Sequence, residues 1–167
     1  MFIPFLMSMI VYIPFSPSLI FFIATETSSI TQSKSLSYGK TLVSPSGIFE
    51  LGFCNLGKSN KIYLGIWYKN IPVQNIVWVA NGGRPIKDSF SIWKLDSYGN
   101  LVLTHNNTVV WSTSSLEKSQ NLVAELLDSG NLVIRAENEA KEDAYLWQSF
   151  DYPSNTKLFS TCLIAWK

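Results

Sequence analysis

Side chains able to do covalent or metal chemistry are scarce in this chain. It has one histidine, His105, and two cysteines, Cys54 and Cys162. Two thiols and one imidazole cannot complete the four-ligand shell of a structural zinc, so no metal is expected. No Gly-x-Ser-x-Gly elbow accompanies His105, which therefore reads as a solvated loop residue with no catalytic role. The Gly-rich loop, strand lysine, HRD and DFG motifs of a protein kinase are absent as well. No catalytic residue is assigned, and no cofactor is expected. One modification signal stands out: Asn106-Asn107-Thr108 is an N-glycosylation sequon, which an exported chain presents as an acceptor. The two thiols could pair in an oxidising compartment, but spacing alone gives no geometry. Cys54 sits in ELGFCNLG and reads equally well as a small buried hydrophobe.

The elements around these residues repeat. KLDSYGNLVLTHNNTVVW, residues 94–111, is a turn, a glycine, an alternating strand and a second strand ending in Trp111. Glu125 to Trp147 says nearly the same thing, and a looser copy runs from SPSGIFELGF at 44–53 to NIVWVA around Trp78. Gly47, Gly99 and Gly130 thus each precede an apolar strand that leads on to a tryptophan. A repeat of this kind decides the architecture, because one unit cannot bury its apolar face alone. Hydrophobic residues make up 47% of the chain and charged ones only 15%, which is enough to fill a core. A net charge of +1 without a basic block leaves no electrostatic footprint for nucleic acid.

No apolar period of 3.6 residues is sustained over ten residues, whereas short alternating runs recur between turn signals. That pattern predicts an all-β domain. Ser28–Tyr38 reads as an edge strand or arm, followed by strands at 48–53, 63–68, 75–80, 90–95, 100–103, 108–111, 122–127, 131–135 and 145–147. In 48–53, Phe49, Leu51 and Phe53 share one face; in 90–95, Ser91, Trp93 and Leu95 oppose Phe90, Ile92 and Lys94. Asn106-Asn107 reads as a tight hairpin turn. Ala136–Asp143 reads as a long hairpin loop in preference to a helical turn. Three such units closing around a pseudo-threefold axis would bring Trp78, Trp111 and Trp147 into the centre, each burying ~150–250 Å².

Residues 1–24 are of a different kind. They are uncharged and almost wholly apolar, with Pro4, Pro14 and Pro17 interrupting any spanning helix. The segment reads as a secretory signal peptide cut near Ala24–Thr27, with an uncleaved N-terminal anchor as the alternative. Export is the expected fate of the chain.

Taken together, SPSGIFELGF, YLGIWY, VWVAN, GNLVL, VVWST, LLDSGNLVI and LWQSFDYPSNT resemble the plant bulb-type, or monocot mannose-binding, lectin domain. The likeness is to the version found in S-locus glycoproteins and in G-type lectin S-receptor-like serine/threonine kinases. It covers residues 28–156. The resemblance implies a β-prism II fold, three four-stranded antiparallel sheets around a pseudo-threefold axis. It also implies a non-catalytic extracellular module that recognises a carbohydrate or a protein. Mannose-type glycans or a protein ligand are then the expected partners, along with homo- or hetero-association among S-domain proteins. Self-recognition of pollen and defence signalling are family roles that follow from the resemblance alone. Residues 157–167, KLFSTCLIAWK at 157–167, depart from the family, which continues there into further ectodomain modules, a membrane span and a kinase domain. The chain therefore reads as a truncated relative, with a fragment of a membrane receptor kinase as the alternative. Gly82-Gly83 also departs from the Arg-Asp that usually follows VWVAN.

The family's sugar strand follows Gln-x-Asp-x-Asn-x-Val-x-Tyr, whose alternation puts five side chains on one face. By resemblance, the second unit offers Asp96, Tyr98, Asn100, Val102 and Thr104 at those places. The third offers Leu127, Ser129, Asn131, Val133 and Arg135, and in the first Phe49 and Leu51 fall at the Asn and Val places. Only Asn100, Val102, Asn131 and Val133 match. Lost polar partners cost a sugar site heavily, so the mannose sites are expected to be degenerate.

Overall fold

The computed structural model describes residues 26–56, 59–71, 75–114, 121–139, 141, 144–154 and 162–163. The expected leader at 1–24 and most of the tail at 157–167 lie outside them. The described chain is built almost wholly of short antiparallel strands, with one 3-10 turn at Ser149–Asp151. The strands are β1 (Ser29–Thr31), β2 (Ser35–Ser37), β3 (Thr41–Val43), β4 (Phe49–Leu56), β5 (Ile62–Tyr68), β6 (Ile76–Val79), β7 (Ser91–Leu95), β8 (Leu101–His105), β9 (Thr108–Ser112), β10 (Leu122–Leu126), β11 (Leu132–Ala136), β12 (Trp147–Gln148) and β13 (Cys162–Leu163).

They make three sheets. The first runs β4-β5-β6, the second β2-β7-β8-β9 and the third β1-β10-β11-β12. The polar stretch at residues 28–38, expected as one edge strand or arm, is therefore two strands serving two different sheets: β1 edges β10, and β2 edges β7. In the first sheet β3 pairs with Glu50–Gly52 and β13 with Asn55–Leu56, so two short strands share the edge of β4 that β5 leaves open. This is the β-prism II arrangement, with one added strand on the first sheet.

Period-2 alternation explains the core. Phe49, Leu51, Phe53, Leu64, Ile66, Trp93, Leu95, Leu101, Leu103, Leu132 and Ile134 all point inward and are buried in one cluster. Each such side chain contributes roughly 1.5–3 kcal/mol of apolar burial. At one end of the axis the three tryptophans meet edge to face. Their ring centroids are 5.8 Å apart for Trp78 and Trp111, 6.1 Å for Trp78 and Trp147, and 6.2 Å for Trp111 and Trp147. The interplanar angles of 70–76° match the quadrupole preference of aromatic pairs. Each indole stands opposite an equivalent residue on a central strand: Ile66, Leu103 and Ile134.

A second set of contacts repeats with the same symmetry. The backbone N–H groups of Leu64, Leu101 and Leu132 donate to the side-chain oxygens of Asn81, Thr113 and Ser149, at 2.8, 2.9 and 2.9 Å. Each is a buried donor that the ladder cannot satisfy, so each unit supplies a polar side chain just beyond its tryptophan.

These pairings correct one feature of the glycine-anchored reading. Gly99 and Gly130 lie between the second and third strands of their sheets, β7–β8 and β10–β11, but Gly47 lies one strand earlier, between β3 and β4. The middle strand of the first sheet is β5, so the places equivalent to Asn100 and Val102 are held by Tyr63 and Gly65. Phe49 and Leu51 face the core and cannot stand on an outer face. The last expected strand, at 145–147, is also shorter and later, at Trp147–Gln148.

Candidate carbohydrate site

The outer faces of the three middle strands are where alternation would present the sugar-binding ladder, and they differ sharply. On the first sheet the face is closed by apolar side chains. Cys54, Tyr63, Trp67, Ile76 and Val79 form a second buried cluster. The Trp67 indole lies over Gly52, where an added Cβ would come within 3.2 Å of it, and its Nε1–H donates to Glu50 Oε2 at 3.1 Å. Burial raises the Tyr63 phenol above its ordinary pKa, with the Cys54 thiol adding to the effect. Nothing there presents a free polar edge to a sugar ring. Whether Cys54 pairs with Cys162 lies outside the described residues, because the Cys162 side chain is not among them.

On the third sheet the ladder residues are committed to the fold. The Asn131 amide donates to Gln148 Oε1 at 2.9 Å, and its Oδ1 accepts from Ser149 Oγ at 3.1 Å and from Phe150 N at 3.3 Å. This amide pins the 3-10 turn that follows Trp147. Val133 is fully buried. Arg135 holds Glu125 Oε2 through Nε and Nη2, at 2.9 and 2.7 Å, and its Nη1 donates to the carbonyls of Ala136, Glu137 and Glu139. That fork geometry closes the loop after β11 and commits most of the guanidinium donors to the fold.

The second sheet differs. Asn100, Val102 and Thr104 form a column on the outer face of β8. Val102 is paired laterally with Lys94 and Ser112, and Thr104 with Ile92 and Val109. The Asn100 Oδ1 is buried and has no hydrogen-bond partner, a rare state for a polar atom. The equivalent oxygen on Asn131 has two donors. Thr104 Oγ1 donates to Ile92 O at 3.3 Å.

Asp96 and Tyr98 are not part of that column. They stand in the turn between β7 and β8. The Asp96 carboxylate accepts the backbone N–H groups of Tyr98 and Asn100, both at 2.8 Å, which is an Asx turn. Asp96 Oδ1 is therefore committed to the turn, and Tyr98 projects from it, exposed. Sequence reasoning passed over Lys94 and Ser112, which flank the Val102 floor. The signal was present in the cross-strand pairing of alternating strands, one residue to either side of the motif.

Elsewhere, a cavity of about 470 Å³ opens beside the indole triad between the Gly82-Gly83 turn and Tyr152, with no charged side chain in its lining. Among the described residues no group of three or more His, Cys, Asp or Glu is arranged to hold a metal ion. No helix among them is long and apolar enough to cross a membrane.

Three antiparallel sheets packed on a shared indole triad define a lectin-type β-prism. Residues 75–166 match the family described as D-mannose binding lectin, so the chain belongs to that family of bulb-type lectins. It is 43% identical over 137 residues to a putative inactive G-type lectin S-receptor-like serine/threonine-protein kinase SRK of Arabidopsis thaliana, covering 81% of this chain and 25% of that protein. It is 41% identical over 156 residues to the S-locus-specific glycoprotein S6 of Brassica oleracea, covering 92% of this chain and 35% of that one. The chain thus spans about a third or less of the length of these relatives. Among solved structures, a monomeric monocot mannose-binding lectin from Gastrodia elata superposes with a TM-score of 0.55 at 23% identity, covering 74% of this chain and 96% of that one. The Japanese Marasmius oreades lectin superposes with a TM-score of 0.53 at 18% identity, covering 80% and 94%. At those identities the two structures speak to the fold alone.

Proposed function

We propose that this chain is an extracellular recognition module whose carbohydrate chemistry has contracted to one face, the outer face of the second sheet. The observation that carries this reading is the contrast between two equivalent asparagines: Asn131 is saturated by the fold, whereas Asn100 keeps a buried carbonyl oxygen with no partner. A sugar hydroxyl is the chemistry that satisfies such an acceptor. Val102 provides the apolar floor for a pyranose ring, and Thr104 and Ser112 provide hydroxyls beside it. With Asp96 bonded into its turn, Tyr98 at the Asp place and Thr104 at the Tyr place, three of the family's polar partners are missing. Each costs about 1–3 kcal/mol, which puts the affinity for a single mannose residue in the weak, roughly millimolar range. Multivalent presentation of mannose, or a protein partner on the same face, then supplies the working affinity.

The relatives' greater length supports a second element of the reading. The module acts as the outermost, ligand-facing part of an S-domain ectodomain, exported through the leader at 1–24. A glycan array probed with secreted chain and with Asn100→Ala tests the sugar assignment. Mannose-rich spots that lose signal in the variant support it, and a blank array for both proteins removes it. Retained binding of a protein ligand would then mark the face as a protein contact.

A further inference from the structure

The second sheet carries one feature that sugar recognition does not account for. At its tip end the outer face is apolar and open. Phe90 is 74% exposed, Val109 53% and Ile92 45%. Ile92, Thr104 and Val109 form one lateral row across β7, β8 and β9, and Phe90 lies one step further out on the same face. Together with Asn106 and Asn107, three of these (Phe90, Ile92 and Thr104) line a hollow of about 340 Å³ that contains no charged side chain. An open aromatic and aliphatic strip of this kind on a recognition module is a surface waiting for a cover.

The cover is indicated by what stands beside it. Asn106 and Asn107 occupy the two central places of the β8–β9 turn, with φ of 48° and 62°, the left-handed pair that a two-residue hairpin requires. Both are exposed, as is Thr108, so the sequon stands at the tip of a hairpin, accessible to modification. The Asn106 backbone N–H donates to Phe90 O at 3.4 Å, which holds the hairpin tip against Phe90, and both residues line the hollow. The Asn106 amide also contacts His105 Nε2 at 3.1 Å, while His105 Nδ1 lies 3.1 Å from Ser91 Oγ and 3.4 Å from Asp88.

We propose that an N-linked glycan on Asn106 folds into this hollow, packs its first sugar against Phe90 and Ile92, and shields the Thr104 end of the second sheet from external ligands. The step that installs it is a group transfer from a lipid-diphosphate-linked oligosaccharide. Asn106 Nδ2 loses one proton and bonds to the anomeric carbon of the first N-acetylglucosamine, while the lipid diphosphate departs with the electron pair of the broken C–O bond. The remaining N–H keeps a donor for His105. The sugar's apolar face then lies on the Phe90 ring, and its hydroxyls reach Thr104 and the serines of the hollow. Tethering makes the contact intramolecular at an effective concentration of about millimolar, so packing too weak to hold a free sugar suffices. The same tether makes the glycan a standing competitor for the neighbouring site. This inference rests on export as proposed above, and its test separates the two.

The chain secreted from a host that attaches N-glycans is compared with Asn106→Gln and with Thr108→Ala, which destroys the sequon while leaving the turn asparagine in place. Intact mass gives occupancy, and proton NMR reads contacts between the first N-acetylglucosamine and the Phe90 ring. Titration with a mannose-rich oligosaccharide gives affinity. The expected results are a glycan lost in both variants, sugar-to-Phe90 contacts in the parent, and an affinity about tenfold higher in both variants. An unmodified Asn106 in secreted protein, or a glycan without Phe90 contacts, overturns the proposal, as does an affinity unchanged by its removal. Contacts to Phe90 with no oligosaccharide binding by any form uphold the packing and refute the sugar-site reading instead. Concentration-dependent dimers in the occupied parent would show the strip to be covered by a second copy and would equally overturn it.

Discussion

Asn100 and Asn131 occupy equivalent places in two sheets, and the account predicts opposite consequences for the same substitution. Asn131→Ala removes three hydrogen bonds, to Gln148, Ser149 and Phe150, at 2.9, 3.1 and 3.3 Å. At about 0.5–1.5 kcal/mol each, weighted down for the long third bond, the loss is roughly 2–3 kcal/mol. For a domain of this size each kcal/mol shifts Tm by about 3–5 °C, so a fall of roughly 6–15 °C is expected. Asn100→Ala removes an oxygen that bonds to nothing, so its stability should stay within about 0.5 kcal/mol of the parent. Binding should behave the other way round: Asn131→Ala leaves mannoside affinity unchanged, and Asn100→Ala abolishes it. Differential scanning calorimetry with a mannoside titration on each variant makes the comparison. Equal destabilisation by both substitutions would refute the reasoning, because it would mean that Asn100 is held by the fold as Asn131 is.

Three further expectations follow from the packing. Trp78→Ala should cost about 3–5 kcal/mol and erase near-ultraviolet circular dichroism from the triad, since Trp78 is buried against two indoles and donates its Nε1–H to Tyr152 O. Gly47→Ala should cost about 1 kcal/mol from its φ of +70°, because an added methyl meets open space there. Gly130→Ala should cost about 1–3 kcal/mol more by urea unfolding, because its φ is +82° and the new Cβ would lie 2.9 Å from the Phe49 ring. The Ser46 hydroxyl, followed by the Ser46 backbone N–H, holds the Asp128 carboxyl below its ordinary pKa. A depressed carboxylate stabilises above its unfolded pKa, and that contribution is lost as pH falls through the folded value. The advantage of the parent over Asp128→Asn in urea midpoint should therefore be constant near neutrality and be lost as pH falls below the ordinary carboxylate range and through the lowered folded value. A difference that persists at pH 2 would assign it to shape alone.

Much of this architecture was legible before any coordinates. The alternation of Ser91, Trp93 and Leu95 against Phe90, Ile92 and Lys94 is the alternation of buried and exposed residues on β7. Asn106-Asn107 read correctly as a hairpin turn, because its two left-handed residues are what a two-residue loop demands. The register of the first unit was misread, because glycine marks a turn and says nothing about which two strands the turn joins. The tryptophan was the better anchor, since its partner is fixed by the sheet: Ile66, Leu103 and Ile134 each follow an inward leucine by two places and face an indole. The state of the ladder residues was illegible for a different reason. Asn100 and Asn131 are the same residue in the same motif, and they differ only in what the strand after the next loop brings to them. Gln148 and Ser149 arrive beside Asn131 from seventeen or eighteen residues away, and no local pattern announces that. Asp96 was read both as part of a turn and as part of a ladder, and the carboxylate's two short bonds to Tyr98 N and Asn100 N decide for the turn.

The central claim is that one of three equivalent faces keeps a ladder acceptor that the fold leaves unpaired, and that a sugar takes it up. Amide chemical-shift mapping of the secreted domain with methyl α-mannoside tests it most directly. The account predicts shifts that saturate together at Asn100, Val102 and Thr104 and at their neighbours Lys94 and Ser112, with Tyr63, Gly65, Asn131 and Val133 unmoved. Shifts centred on Asn131 and Val133, or none on any face at about 50 mM sugar, well above the expected affinity, would contradict it.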